Sequence, residues 1–309
     1  MGFFATGIVG VKTVLKQKAP EISILSPLPS YLVNSQLVQS LNIWKPANTH
    51  VLSKSTQKPV ISAKAAYVYD ITTDTVLYDK NSKERLPIAS LTKIATAIVA
   101  LESKKPDTSI QISAKAANVG EDSMGITTGE TYTLEELMYG LVLHSGNDAA
   151  MAIAEGISGD VPTFVAHMNQ KAKILGLTDT FFVNPSGLEE DPPLPHEYST
   201  AYDLAILTKY ALSLPLFAKV AATVEYDIPY TSNHKHIYLF NETNLLTSYP
   251  GVKGVKTGYT PSAGLCLITY AENDGHKLIG VILNSESRRE EMRALLNYSF
   301  SLLGVKVDS

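Results

Sequence analysis

A serine and a lysine stand three residues apart in Pro87-Ile88-Ala89-Ser90-Leu91-Thr92-Lys93. A hydroxyl one helical turn from an amine is a nucleophile beside a base, the pair that acyl transfer needs. The apolar run from Leu91 to Leu101, with Ile94, Ile98 and Leu101 at helical spacing, predicts a helix that starts at Ser90. There, free backbone N–H groups and the helix dipole favour negative charge developing on a substrate. Two later segments carry matching side chains. His144-Ser145-Gly146-Asn147-Asp148 reads as a tight turn between two apolar helices, with Asp148 as the cap and Ser145 and Asn147 left for a site. Lys256-Thr257-Gly258 ends a strand and offers a cation, a hydroxyl and room for a substrate backbone. Each pattern alone is common: Ser-x-x-Lys recurs at Ser55-Thr56-Gln57-Lys58, and Ser-x-Asn at Ser40-Leu41-Asn42. The information lies in their order and in the local structure around each.

The elements that must position these residues follow from periodicity and punctuation. Residues 65–71 and 75–78 read as two strands turned through Thr72-Thr73-Asp74, leading to the Ser90 helix. Residues 111–132 are rich in Gly, Ser and Thr; then Thr133 and Glu136 make a capping box that starts a helix to about residue 143. A small-residue helix at 149–155, closed by Gly156, and helices near 163–175 and 200–213 come next. Strand-like stretches occupy 223–228 and 237–240, a turn-rich stretch 241–251, and three further strands 252–257, 265–271 and 278–283. A last amphipathic helix spans about 286–303. Strands at both ends with helices between them predict an α+β domain in which the first and last strands share one sheet.

Composition narrows the function. The chain has 309 residues, 45% hydrophobic and 18% charged, with a net charge of -4, which supplies no basic footprint for nucleic acid. The single cysteine, Cys266, lies in an apolar run and excludes an internal disulfide and a Cys-based metal site. The histidines show no His-Glu-x-x-His pattern, and no metal or cofactor is expected, His234-Lys235-His236 included. Residues 3–11 are apolar, but Lys12 and Lys16 interrupt them, so the stretch is too short for about 30 Å of hydrocarbon. With no basic lead and no clear cleavage site, it reads as a degenerate export segment, an interfacial anchor or an apolar tail. Residues 17–60, rich in Pro, Ser, Asn and Gln, read as a tether. The expected division is 1–61 as anchor or export remnant with linker, and 62–309 as the catalytic domain.

Ser90-x-x-Lys93, Ser145-Gly146-Asn147 and Lys256-Thr257-Gly258, in this order, resemble the motif set of the penicillin-recognising serine enzymes. Within that superfamily the chain resembles the low-molecular-mass penicillin-binding proteins that are serine D-alanyl-D-alanine carboxypeptidases. The resemblance covers roughly residues 64–303. It includes Gly129-Glu130-Thr131-Tyr132-Thr133, Ser145 to Ala150, Asn184-Pro185-Ser186-Gly187-Leu188 and Lys253-Gly254-Val255. It implies a β-lactamase/DD-peptidase-like α+β fold, with a central antiparallel sheet of about five strands from both chain ends and a mainly helical insertion between.

The resemblance also implies roles. Ser90 attacks the carbonyl between two D-alanines and forms an acyl-enzyme, which water hydrolyses. Lys93 takes the Ser90 proton, which from a reference pKa near 10.4 requires a depression of roughly 3 units; burial and Lys256 push that way. Ser145 relays a proton to the leaving amine, and Asn147 orients Lys93 and the substrate amide. The backbone N–H groups of Ser90 and Tyr259 form the oxyanion hole. Lys256, Thr257 and Gly258 bind substrate, helped by an arginine at the start of the last helix, Arg288 with Arg289 in reserve. Implied partners are peptidoglycan pentapeptides and β-lactam antibiotics as acylating inhibitors. The implied location is the cell envelope outside the cytoplasm, with possible weak membrane attachment through the N-terminus, since the chain stops at Ser309 just past the last helix. A class A β-lactamase would need a deacylating carboxylate, and Asp179-Thr180-Phe181-Phe182-Val183-Asn184 lacks the Glu-x-x-x-Asn expected there. A DD-endopeptidase and a non-catalytic β-lactam sensor remain alternatives.

Overall fold

The computed structural model describes residues 57–189, 197–243 and 245–307; the readings made for residues 1–56 lie outside the described residues. The elements in chain order are β1 (Ala65–Asp70), β2 (Thr75–Lys80), a 3-10 turn (Ala89–Thr92), α1 (Lys93–Ser103), β3 (Ser109–Gln111), α2 (Ala114–Ala117), β4 (Thr131–Thr133) and α3 (Leu134–Leu143). Then come α4 (Asn147–Ser158), α5 (Val161–Ile174), α6 (Ala201–Leu212), α7 (Pro215–Ala221), β5 (Glu225–Ile228), β6 (Ile237–Phe240) and α8 (Leu245–Ser248). β7 (Val252–Thr260), β8 (Gly264–Asn273), β9 (His276–Ser285) and α9 (Arg288–Leu303) complete the chain.

Five strands form one antiparallel sheet in the order β2-β1-β9-β8-β7, so the N-terminal hairpin and the three C-terminal strands share a sheet, as the pattern predicts. Alternation along β1 sorts its side chains. Ala65, Tyr67 and Tyr69 face the helical core, whereas Ala66 and Val68 join Leu267, Ile282 and the α9 residues Met292, Leu295, Leu296 and Phe300 on the opposite face. Covered on both faces, β1 is buried along its whole length, which suits its unbroken apolar and aromatic sequence.

On the helical side, α1 is the pillar. Lys93 through Ala100 are all buried, and α3, α4, α5 and α6 pack around it. A helix with apolar residues on every side belongs in a core, and Ala95, Ala97 and Ala100 let its neighbours come close. The capping box at Thr133 is formed: its hydroxyl accepts from Glu136 N (3.2 Å) and Glu136 Oε2 accepts from Thr133 N (2.7 Å). Thr133→Ala is expected to lower stability by about 1 kcal/mol, read as a melting-temperature fall of roughly 2–4 °C.

The helix read as 149–155 spans Asn147–Ser158 and ends at Gly159, not at Gly156. Gly156 sits inside it because the backbone packs on Ile110; a Cβ there would stand 2.6 Å from Ile110 Cγ2. Asp148 is not the N-cap, a position held by Gly146, although its Oδ1 accepts the first-turn N–H of Ala149 (2.8 Å). Buried in its first turn, it accepts the N–H groups of Met124 (3.0 Å), Gly125 (2.9 Å) and Ile126 (3.2 Å) and the Ser123 hydroxyl (2.5 Å), binding the 123–126 loop to α4. The Gly-, Ser- and Thr-rich stretch contains α2 and pairs β4 with β3, and α7, which starts with a proline, has no counterpart in the sequence reading. No single described helix is long and apolar enough to cross a membrane.

Candidate active site

The 3-10 turn delivers Ser90 to the N-terminal end of α1, with Ala89 held in the left-handed region at φ +50°. Lys93, the first residue of α1, is wholly buried. Its Nζ lies 2.8 Å from Ser90 Oγ, 2.8 Å from Asn147 Oδ1 and 2.7 Å from the Ser186 carbonyl oxygen. Two of these neighbours are carbonyl oxygens, which only accept. A neutral amine has two N–H donors and one lone pair, so with both donors given to Asn147 and Ser186 the lone pair faces the Ser90 hydroxyl. Burial, and then the charge of Lys256, hold Lys93 well below the ordinary lysine range, which favours that neutral form.

Asn147 is itself fixed. Its Nδ2 donates to Gly120 O (3.1 Å) and its backbone N–H to Asp122 O (2.8 Å), while the Asp148 carboxylate holds the adjoining loop. Ser145, two residues earlier, is buried at φ +57°, a conformation that costs a non-glycine residue and persists here because α3 and α4 constrain both ends of the turn.

β7 closes the site. Lys256 is 2% exposed, and burial pushes it down to about 8, with Arg288 acting in the same direction and Glu242 and Asp122 opposing. A Cβ at Gly258 would stand 3.1 Å from Ile88 O and 3.2 Å from Ser90 N, so a side chain there would crowd the Ser90 turn and glycine lets the strand run close to it. Thr257 is buried beside it, and Tyr259 is 60% exposed at the rim. Arg288 Nη1 donates to Gly258 O (2.7 Å) and lies 3.4 Å from Cys266 O, which puts Arg288 against β7; Arg289 lies at the surface, 3.7 Å from Glu290.

The three motifs thus meet at one place: Ser90, Lys93 and Asn147 through hydrogen bonds, Lys256 through its charge, Gly258 through contact. Sequence reasoning missed the loop before α6. Asn184 Oδ1 accepts the N–H groups of Ser186 (3.1 Å) and Gly187 (2.7 Å), Thr96 donates to Pro185 O (2.6 Å), and the loop so formed aims the Ser186 carbonyl at Lys93. The Asn184 to Leu188 motif is visible in the sequence, but a backbone oxygen has no side-chain signature. Also missed is Glu197, buried with its Oε2 2.9 Å from Thr92 Oγ1. Asp179, the carboxylate in the stretch that lacks Glu-x-x-x-Asn, pairs with Arg85 at 2.7 Å, both partly exposed. His234 lies 3.4 Å from Glu136 and His236 2.5 Å from Asp227.

A five-stranded antiparallel sheet with a helical insertion, and a serine–lysine pair at the head of the central helix, make up an α+β domain of the kind seen in solved DD-peptidases. The profile of the D-alanyl-D-alanine carboxypeptidase family matches residues 52–287, and the chain belongs to that family. Among curated proteins it is 38% identical over 256 residues to the D-alanyl-D-alanine carboxypeptidase DacF of Bacillus subtilis, covering 80% of this chain and 64% of DacF. The chain thus spans less than two thirds of that relative. Among solved structures, a Streptomyces DD-transpeptidase superposes with a TM-score of 0.75 at 30% identity, covering 79% of this chain and 99% of that one. The D-alanyl-D-alanine carboxypeptidase DacD of Francisella tularensis gives 0.72 at 30% identity, over 82% and 74%.

Proposed function

We propose that this chain hydrolyses the terminal D-alanyl-D-alanine bond of peptidoglycan stem peptides through an acyl-enzyme on Ser90, and that β-lactams acylate the same oxygen. The observation that carries this reading is the environment of Lys93 Nζ: two carbonyl acceptors take its N–H groups, so its lone pair is left for the Ser90 proton. Ser90 Oγ attacks the penultimate D-alanine carbonyl while its proton passes to Lys93. The negative oxygen rests on the N–H groups of Ser90 and Tyr259, each such donor being worth roughly 10²–10³ in rate. The scissile C–N bond breaks, the leaving D-alanine amine takes a proton from Lys93 by way of Ser145, and water then releases the shortened peptide. Lys256, Thr257 and Arg288 supply positive charge and a hydroxyl for the free carboxylate that marks a carboxypeptidase substrate.

Such a substrate lies outside the cytoplasm, and on this reading the protein works there, facing peptidoglycan. The catalytic domain on this reading begins near Ser62. Consistent with that boundary, the backbone N–H groups of Ser62 and Ala63 both donate to the Glu291 carboxylate on α9. The test is to incubate the protein with a pentapeptide ending in D-Ala-D-Ala, quantify free D-alanine, and measure intact mass after exposure to a penicillin. Release of one D-alanine per peptide and a single penicilloyl adduct are expected. Neither product after prolonged incubation would overturn the assignment, and an adduct without D-alanine release would favour a sensor.

A further inference from the structure

Behind the catalytic turn lies a carboxyl group that the steps above do not use. Glu197 is 8% exposed; its Oε2 accepts from the Thr92 hydroxyl at 2.9 Å, and its Oε1 is buried with no hydrogen-bond partner among the described residues. A buried polar atom left unpaired calls for a reason. The surroundings are the catalytic loops themselves. Thr92 closes the turn that carries Ser90 and precedes Lys93, and the position of a Cβ on Gly187, next to the Ser186 carbonyl that holds Lys93, is 3.0 Å from Glu197 Oε1.

Acylation makes an ammonium of Lys93 in a place that already holds the buried Lys256. A second buried cation needs a counter-charge. The carboxylates Asp122, Glu197 and Glu242 all pull Lys93 toward its charged form, but Asp122 and Glu242 are exposed at the rim, where solvent weakens them, and Glu197 is buried. From the side of Glu197, the charged neighbours are Lys93 and Glu189, and the polar contact is Thr92; Lys256 in turn faces Arg288, Asp122 and Glu242.

Resting on the proposed acyl-enzyme chemistry, we propose that Glu197, held by the Thr92 hydroxyl behind the catalytic turn, is a positioning residue for acylation that supplies the negative charge Lys93 requires when it accepts the Ser90 proton. Glu197 exchanges no atom with the substrate. Lys93 receives the proton, the Ser90 Oγ–carbonyl bond forms, and the leaving amine departs with that proton, while the buried carboxyl sets how willingly Lys93 carries it. Burial pushes Glu197 up to about 8, against the pull of Thr92 and Lys93, and an ammonium formed at Lys93 by the Ser90 proton draws the carboxyl toward its charged form.

The sign follows. Removing the carboxylate makes Lys93 a weaker base, so its neutral form persists to lower pH. The Glu197→Gln substitution, which keeps the Thr92 contact and the side-chain volume, is expected to move the acidic limb of the penicillin acylation rate down by about one pH unit and to lower its alkaline plateau roughly ten-fold. Thr92→Val, which makes the carboxylate harder to form, is expected to move the limb the same way by less. Single-turnover acylation by a chromogenic β-lactam between pH 5 and 9.5, with thermal melts alongside, reads both. A structural role alone would lower the rate at every pH and leave the limb in place. An unmoved limb in folded Glu197→Gln overturns the proposal, and if that variant does not fold, an unmoved limb in Thr92→Val does so. If the unsubstituted protein is not acylated at any pH, the serine-enzyme reading falls and this inference falls with it; acylation with an unmoved limb sinks only the assignment to Glu197.

Discussion

Ser90→Ala is expected to yield no penicilloyl adduct and no free D-alanine, and Lys93→Met to keep the adduct but form it roughly 10³-fold more slowly, within the range of general-base contributions. The two variants separate nucleophile from base. Alanine removes the hydroxyl oxygen that lies 2.8 Å from Lys93 Nζ. Methionine fills the buried volume of Lys93 without its lone pair, and Ser90 then has to lose its proton to solvent. Intact-mass spectrometry reads the first outcome and stopped-flow acylation the second, with circular dichroism confirming that each variant is folded. An adduct on Ser90→Ala at the parent rate would place the nucleophile elsewhere, and parent-like acylation of Lys93→Met would remove Lys93 from the mechanism.

Gly187→Ala is expected to damage fold and site together. Gly187 stands at φ +81°, and a Cβ there would lie 2.0 Å from Ala89 O and 2.4 Å from Ala89 C. Both are backbone atoms of the residue before the nucleophile, so no side-chain rotation relieves the overlap. Either the 184–188 loop retreats, taking the Ser186 carbonyl off Lys93, or the Ala89–Thr92 turn shifts and Ser90 with it. Overpacking plus the left-handed backbone should cost about 3 kcal/mol, which for a domain of this size lowers the melting temperature by roughly 6–12 °C. A misplacement near 1 Å at the nucleophile costs about 10²-fold in rate. Differential scanning calorimetry and the acylation assay read the two effects, and a variant with parent stability would show that the loop yields more easily than its packing implies.

The residues whose side-chain type is their signal are legible in the sequence. Ser90 and Lys93 announce themselves by spacing on an apolar helix, and the N-terminal and C-terminal strands by alternation and turn residues. That the first and last strands share one sheet is legible in strand patterns at both ends with helices between, while the order β2-β1-β9-β8-β7 is seen only in the fold. What stays hidden acts through the backbone or from a distance. The Ser186 carbonyl could be any residue's carbonyl, and Glu197 reads as one more acidic residue after a loop until the fold buries it against Thr92. Asp148 illustrates a partial reading: a carboxylate at a helix start looks like a cap, and it does accept the Ala149 N–H, yet most of its hydrogen bonds go to a loop more than twenty residues earlier in the chain. Arg288 and Arg289 are adjacent and chemically equal in the sequence, and only the angle at which α9 leaves β9 turns one toward Gly258 and the other to solvent.

The strand order also bears on mechanical load. The backbone from Ser62 enters through the Glu291 carboxylate and then β1, and β9 and β8 both lie between β1 and the strand carrying Lys256. A pull on the backbone at Ser62 would therefore be taken up by α9 and by a strand paired on both edges, separated by two strands from the one that carries Lys256.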